Sequence, residues 1–575
     1  MKYFIFLLLP FSFLFAQSNK WPPEDVGKSE NFNSLKLDGD RYLPSTKKYN
    51  LVWADQLVPN FWISEKEVEF AANHYIGTQK IYLEQVNEFR KYNPNFLVSA
   101  YHLAFGLNPQ DNSNCPQPRN NDNGNIGVVT PLRYISEYDN YFLPWCESNG
   151  IDINSDRFEA MFQHFDELGP GKRVWHLDPY WLMNIKNTDW NNYLAETTIS
   201  WIEGMENDGF FFDVAVEMNA YFYNPTKYNP DSWGFNWWES PHNILGEKSM
   251  NLNEFYIWQN ENIKQYFQNI YKKFHSGGNE YLVLPNVDQM VTTIYDPIWL
   301  DGDENGETID GAMIEGFGGY SGKDMYLTLE RCIRHITGRK KILIAQFNET
   351  DKTEIYRRTA MYMLVKNSSS FINAIDYDGD ETNNVFWYPE YEIELGDYLE
   401  EITDLEELRA VGQGWESLWK REYQRGTVLV NTHTSAIEFE LDTNYDWSIV
   451  KTSGGGSVDD QGNVPNYSID YEDVSGIISI PASDGIILFK DNKSNIINEL
   501  GSLIRISQIN NNFISIDSKL KLNEVNIYNL NGQLLESETG MKNNSLSISN
   551  LQNGVYFIVI NPKQENIYKR FTIIR

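Results

Sequence analysis

Cysteine is nearly absent from this chain of 575 residues, with three in all, at positions 115, 146 and 332. No CxxC pair and no His/Cys cluster stands at zinc-ligand spacing, which argues against a structural zinc site. Cys115 and Cys146 fall in one long polar loop and can pair in an oxidising compartment, whereas Cys332 lies on the apolar face of a predicted helix. Basic residues are scarce too. Against 80 Asp and Glu there are 47 Lys and Arg, a net charge of −33 that argues against nucleic acid or an anionic membrane surface as partner. A long apolar run occurs once, from Tyr3 to Phe15, behind Lys2 and ahead of Ala16. It is short for a membrane span and no stop-transfer segment follows, so residues 1–16 read as a secretory signal peptide and no transmembrane segment is expected after its removal. A glycine-rich phosphate loop and a G-x-S-x-G elbow are both missing, which weakens nucleotide and esterase readings.

Aromatic residues, by contrast, make up 15% of the chain, with 17 Trp and 35 Tyr. Flat rings stack on the C–H faces of sugars and equally fill large cores, so the excess suits a carbohydrate protein without singling one out. The length predicts several domains. Residues 17–46 read as a polar surface leader. From about residue 47, strands alternate with amphipathic helices. Strands are predicted at 50–55, 96–101, 173–178, 209–213, 281–286, 311–315, 341–346 and 370–374. Helical stripes run through Trp190, Leu194, Trp201 and Met205, through Ile263, Tyr266, Phe267, Ile270 and Phe274, and through Met325, Leu329, Cys332 and Ile336. Eight strands alternating with helices predict an α/β fold, a (β/α)8 TIM barrel over 47–415, swollen by insertions at 103–150 and 215–250. Short β-rich runs then predict a small antiparallel β-sandwich over 416–490, a linker at 491–500 and a last β-sandwich module over 501–575.

The chemistry starts at Asp208-Gly209-Phe210-Phe211-Phe212-Asp213. Three Phe after a Gly read as a strand buried on both faces, and the acid that ends it is out of place unless it meets a solvent-filled mouth. The pattern recurs as Asp310-Gly311-Ala312-Met313-Ile314-Glu315. Acids at the carboxyl ends of strands four and six both face the mouth of a parallel barrel. Two carboxyl groups flanking a scissile bond are what glycoside hydrolysis requires, one to protonate the leaving oxygen, the other to attack or to activate water. Asp213 and Glu315 are therefore the candidate catalytic pair, with Glu217 and Glu349 as rival acids just past strand ends.

Other strand ends offer hydroxyl-binding groups: Asp55, Tyr101, His102, Trp175, His176, Asp178, Asn286, Gln346 and Asp376, with Asp288 beside them. The loop after strand four carries Tyr221, Phe222, Tyr223, Tyr228, Trp233, Phe235, Trp237 and Trp238, either a small core of its own or a sugar platform. No cofactor or metal is expected. The loop from Asp301 to Gly306 matches the first half of an EF-hand-type calcium loop, but Ala312 stands where its last ligand belongs, so a solvated acidic turn is the preferred reading over a calcium site.

Two resemblances bear on these expectations. The C-terminal order IYNLNGQ, then LQNGVYFI, then a basic and apolar terminus resembles the sorting domain of type IX (Por) secretion in Bacteroidetes. That resemblance implies handling by the type IX secretion machinery and a location outside the cell or on the outer-membrane surface. Residues 50–490 resemble the glycoside hydrolase family catalogued as hypothetical glycosyl hydrolase family fifteen, through LVWAD at strand one, Asp208–Asp213, DGAMIEGF, WKREYQRGTVLVN and ISIPASDGIILF. This implies a (β/α)8 glycosidase acting on a carbohydrate substrate. By similarity with barrel glycosidases that carry an Asp on strand four and an acid on strand six, Asp213 is implied as nucleophile and Glu315 as acid/base. Those relatives mostly cleave α-linked sugars with retention. The alternative left standing is a polysaccharide-binding surface protein that kept the barrel without its activity.

Overall fold

The structure, a computed structural model, describes residues 23, 26–30, 32, 41–492 and 504–573, apart from 60–61, 82, 109–136, 165–172, 177–179, 216–221, 224–251, 277–279, 289, 291–295, 376–384, 511–512, 519–523, 530–532, 540–544, 552–553 and 562–566. The chain divides into two compact units. One comprises Met1–Asp442 and Trp447–Lys490, the other Thr443–Asp446 and Asp491–Arg575.

The first unit is built on a (β/α)8 barrel. Its strands are β1 (Leu51–Trp53), β2 (Tyr75–Gln79), β3 (Leu97–Leu103), β4 (Gly209–Asp213), β5 (Leu282–Pro285), β6 (Gly311–Glu315), β7 (Ile342–Asn348) and β8 (Ser370–Ile375). All neighbours pair in parallel from β5 back through β1 and on through β8 to β6. The ring closes between β5 and β6, where Asp310 N donates to Val283 O (3.1 Å) and Val287 N to Met313 O (3.0 Å). Helices α1 (Glu65–His74), α2 (Leu83–Arg90), α3 (Thr188–Met205), α4 (Leu252–Phe274), α5 (Gly322–His335) and α6 (Lys352–Val365) follow the strands. Their starts are set locally: Ser64 and Glu67 form a capping box on α1, Asn187 caps α3 and Asp351 caps α6.

Side chains alternate between two cores, as a parallel barrel requires. Leu51, Trp53, Ile76, Leu97, Phe211, Leu282, Leu284, Met313, Ile344 and Phe371 fill the lumen, while Phe210, Phe212, Ile314 and Ala345 pack outward against the helices. Residues expected to form a surface leader do more than that. Leu43 joins the lumen core, together with Tyr49 just past the leader, and Gly27–Lys28 pairs with Pro44–Ser45. Leu43 and Tyr49 share that core with Leu51, Leu97 and Phe371 at the floor of the barrel, where apolar side chains gain from leaving water.

The paired hexapeptides are one device used twice. Asp208, buried, accepts from Val98 N (2.8 Å) on β3 and from Arg41 Nε (2.7 Å) and Arg90 Nη2 (3.0 Å). Asp310 accepts from Val283 N (2.8 Å) on β5 and lies 3.1 Å from His275 Nε2. Each Asp thus ties the base of its strand to the strand before. The Gly that follows lets the next strand close in, because a Cβ on Gly209 would meet Leu282 O at 2.7 Å and one on Gly311 would collide with Ile342.

Two expectations about strands need correction. The second barrel strand is Tyr75–Gln79, which sequence reading passed over, because α1 runs straight into it with no turn residue between. Residues 173–178 are not a barrel strand. Trp175–His176 pairs antiparallel with Tyr180–Leu182 and Phe222–Tyr223, in a four-stranded sheet completed by Gly106–Leu107 in the excursion after β3. Strands joined by three residues form a hairpin, and a parallel pairing needs a long crossover. The two errors cancel, so β4 and β6 keep the places the sequence assigned them.

After the barrel, the strands Arg409–Gln413, Glu416–Tyr423, Gly426–Asn431, Tyr445–Gly454, Tyr467–Val474 and Asp484–Asn492 form a six-stranded antiparallel sheet, and Ile437–Glu440 pairs with Ile477–Ile480. This β-sandwich is joined to the barrel through α6: Tyr423 OH donates to Met363 O (2.6 Å) and Arg421 Nη1 to Leu364 O (2.9 Å). The second unit holds a three-stranded and a four-stranded antiparallel sheet, in which Glu524–Tyr528 pairs with Leu534–Thr539. Among the described residues, no helix is long and apolar enough to cross a membrane.

Candidate active site

The carboxyl ends of β1 to β7 converge on one polar ring above the lumen core. Asp213, the last residue of β4, accepts from three donors: Tyr101 OH on β3 (2.8 Å, to Oδ2), Asn286 Nδ2 beyond β5 (2.8 Å, to Oδ1) and the neighbouring Val214 N (2.9 Å). Glu315, the last residue of β6, accepts from the same Asn286 Nδ2 (2.7 Å) and from Asn348 Nδ2 on β7 (3.4 Å). Asn286 is therefore the bridge, one amide hydrogen for each carboxyl group. Its Oδ1 accepts from Asp288 N (3.0 Å), which fixes which way the amide points. The near oxygens of the two carboxyl groups can be no farther apart than the sum of the two bonds to Asn286, 2.8 and 2.7 Å, or about 5.5 Å.

Electrostatics single out Glu315. Burial and the charge of Asp213 push the Glu315 carboxyl up to about 7, with Asp55 adding to the rise and the Asn286 bond and the charge of Lys80 opposing it. Burial and the Asp213 charge hold the Tyr101 phenol well above its usual range, so Tyr101 is a neutral donor. Replacing Asn286 with Ala removes a bond that favours the charged form of Glu315. The titration of that carboxyl is then expected to move upward by about one pH unit, followed by 13C NMR of labelled glutamate.

Left-handed backbone clusters at this rim. Four non-glycine residues with positive φ lie just past strand ends: Lys80 (66°) after β2, Val214 (55°) after β4, and Asp288 (51°) and Met290 (59°) after β5. For a β-branched residue such as Val214 this conformation is a true outlier, of the kind that collects at ligand sites.

Of the residues proposed from sequence, the structure brings together Asp55, Tyr101, Asp213, Asn286, Glu315 and Gln346. Asp55, beyond β1, accepts from Gln79 Nε2 and pairs with Lys80 Nζ (2.9 Å). Gln346, opposite Glu315 in register on β7, donates to Asn348 Oδ1 (3.1 Å). His102 is not in the ring. Strand alternation turns it outward from Tyr101, into a buried pair with Glu137 Oε2 (3.0 Å), and Glu137 also accepts from Tyr193 OH (2.9 Å). Trp175 and His176 belong, by backbone pairing, to the excursion sheet and not to a barrel strand end. Asp178, Asp376, Glu217 and the aromatic residues proposed between 224 and 238 lie outside the described residues, as does Cys115. Glu349 accepts from Asp351 N (2.9 Å) at the start of α6 and does not reach the pair. Cys146 and Cys332 are buried thiols.

Sequence reasoning missed Lys80 and Asn348. Lys80 follows the strand that was not recognised, and Asn348 lies two residues past Gln346, on the same face of β7. Asn373 was missed as well: it pairs in register with Gln346, and its Nδ2 is buried with no hydrogen-bond partner among the described residues.

The acidic loop does not gather ligands. Asp301 turns to His335 Nδ1 (2.8 Å) and Arg339 Nη2 (2.8 Å), and Asp303 accepts from Gln268 Nε2 (2.7 Å) and Asn305 N (2.8 Å). Among the described residues no group of three or more His, Cys, Asp or Glu side chains is placed to hold a metal.

Residues 508–574 match the family model of the secretion system C-terminal sorting domain. The chain therefore ends in a sorting domain for export to the cell surface or the extracellular space. No curated protein matches the chain. Solved structures with a similar course include a Paenibacillus sp. cycloisomaltooligosaccharide glucanotransferase with bound cycloisomaltoheptaose (8% identity, TM-score 0.30, 76% of this chain), of whose length this chain spans 55%. A trehalulose synthase mutant in complex with sucrose is similar over 77% of this chain and 98% of its own (8% identity, TM-score 0.43). Eubacterium rectale Amy13B is similar over 78% and 96% (8% identity, TM-score 0.38).

Proposed function

We propose that this protein is an exported glycoside hydrolase that cleaves a polysaccharide or oligosaccharide with retention of configuration. The observation that carries the reading is the Asn286 bridge, which holds the near oxygens of Asp213 and Glu315 within about 5.5 Å. Retaining glycosidases keep their carboxyl groups roughly 5–5.5 Å apart and inverting ones about 6.5–9.5 Å, and a single amide shared by both carboxyl groups favours the closer arrangement.

Glu315, kept protonated near neutrality, donates its proton to the glycosidic oxygen as the C1–O bond breaks. Asp213, oriented by Tyr101, Asn286 and the Val214 amide, attacks C1 and forms a glycosyl ester. Glu315, now ionised, takes a proton from water as that water attacks C1, and Asp213 leaves as carboxylate. The sugar linkage is taken as α, by likeness to barrel glycosidases with an Asp on strand four. The remaining organisation proposed is a signal peptide at 1–16, a leader at 17–46, the barrel at 47–415, the sandwich at 416–490, a linker at 491–500 and the sorting domain at 501–575, exported through the type IX machinery.

Digestion of a panel of α- and β-linked glycans by the full chain, with the first anomer formed read by 1H NMR, tests the proposal. The expected first product has the anomeric configuration of the substrate. Inversion would sink the nucleophile assignment, and binding without cleavage of any member would favour the non-catalytic binder.

A further inference from the structure

We propose that Lys80, through its ion pair with Asp55, is a positioning residue that sets the charge balance between Asp213 and Glu315. The inference rests on the roles given to those two carboxyl groups above.

Lys80 stands just past β2, and its Nζ lies 2.9 Å from Asp55 Oδ1 and 3.2 Å from Oδ2. The ammonium sits over two rings, 5.3 Å from the centroid of Tyr101 and 5.2 Å from that of Phe211. Tyr101 is the same phenol that donates to Asp213, so one short chain of contacts runs from Asp55 to the proposed nucleophile. With side chains only 15% and 16% exposed, Lys80 and Asp55 act on the ring through a field that water screens less than at the surface.

The backbone holds Lys80 there against its own preference. At φ 66° it occupies a region disfavoured for residues other than Gly, Asn and Asp. Two bonds pin it: Lys80 N donates to Ser99 O (3.0 Å) and Gln56 Nε2 donates to Lys80 O (3.2 Å). A glycine would relieve the strain, so what a lysine adds at this position is its side chain.

Among the described residues, the titratable groups facing the ring are Asp55 beyond β1, Lys80 beyond β2, Tyr101 from β3 with Tyr180 beside it, Asp213 from β4 and Glu315 from β6. β5, β7 and β8 contribute the amides Asn286, Gln346, Asn348 and Asn373. Burial works against the Lys80 charge. The charges of Asp55 and Asp213, the bond to Asp55 and the charge of Glu315 outweigh it and hold the ammonium above the ordinary lysine range. Its field favours the ionised form of Glu315, and that of Asp55 disfavours it. The two members of the pair thus act on the proposed acid in opposite directions.

This opposition gives the test. Lys80→Met, Lys80→Arg and Asp55→Asn are made in the full chain, and the Glu315 carboxyl is titrated by 13C NMR, its resonance assigned by loss in Glu315→Gln. The alkaline limb of kcat/KM is measured in parallel. Lys80→Met is expected to move the titration and the limb up by about one pH unit, Asp55→Asn to move both down by about as much, and Lys80→Arg to leave them near wild type. A merely structural pair would change the melting temperature and leave the titration in place, and that result, or a shift in the same direction for both charge-removing variants, overturns the proposal. If Lys80→Met does not fold, Asp55→Asn decides alone: a downward shift supports the proposal, and no shift or an upward one overturns it. Opposite shifts by NMR in a protein that cleaves no glycan would leave the charge balance standing and count against the glycosidase reading.

Discussion

Asp213→Gly is expected to lose about four orders of magnitude in kcat and to regain turnover with added azide, yielding a glycosyl azide of inverted configuration. Glu315→Ala is expected to lose about 10²- to 10⁴-fold on a substrate with a poor leaving group, and with azide to yield the retained configuration. The two variants separate the roles because azide takes the place of whichever carboxylate is missing. Without Asp213 it attacks the substrate once, from the face opposite the leaving group. Without Glu315 it attacks the glycosyl ester already formed on Asp213, and two displacements restore the starting configuration. Reversed products would exchange the roles. The geometry favours the assignment given, since Asp213 accepts from three donors and is held on both oxygens, while Glu315 has one bond of 2.7 Å and one of 3.4 Å. A nucleophile gains from fixed orientation, and a group that gives up and regains a proton gains from a carboxyl raised to about 7.

Glu315→Gln is expected to stabilise the fold at neutral pH while removing activity. In the native state the Glu315 carboxyl titrates near 7, against 4.5 for its ordinary value. Between those two values the folded protein holds a proton that the unfolded chain has released, so this group's contribution to stability falls as pH rises through that window. Below pH 4.5 both states are protonated and wild type and variant should differ little on this account. Above pH 7 the wild type carries a buried, incompletely compensated charge that the amide lacks, a difference of about 3 kcal/mol in favour of the variant. Denaturant unfolding of both proteins at several pH values from 4 to 8 checks this, because other titrating groups largely cancel in the difference. A stability gap of constant size across that range would show that Glu315 is not the group responsible.

The site was legible in the sequence where a strand ends abruptly in an acid. Asp213 and Glu315 stood out because a carboxylate after three apolar residues has few structural uses, and Asn286 stood out as an amide in the matching place just past β5. What could not be seen was anything that depends on register. Tyr101 and His102 were proposed together, but a strand can aim only one of two consecutive residues into the lumen, and the choice is fixed by how β3 pairs with β4. Lys80 was hidden behind a strand with no turn to announce it, and its left-handed backbone leaves no mark in the sequence. Trp175 and His176 form a real strand, but its partners come from the excursion, and local pattern carries no information on which sheet a short strand joins.

The twin Asp-Gly hexapeptides act as a pair of rulers. In each, an aspartate hooked to the strand before it marks zero and a carboxyl group marks the far end, five residues on. At about 3.3 Å per residue both marks stand roughly 16 Å above their hooks. Because Asp208 and Asp310 grip equivalent positions on β3 and β5, the second residue of each strand, the two acids reach the same height without any contact between them having to adjust it. Such a scale has no half divisions. One residue added to or taken from either strand between hook and tip would turn the acid to the helix side, so the level of the mouth is defended by counting and not by packing.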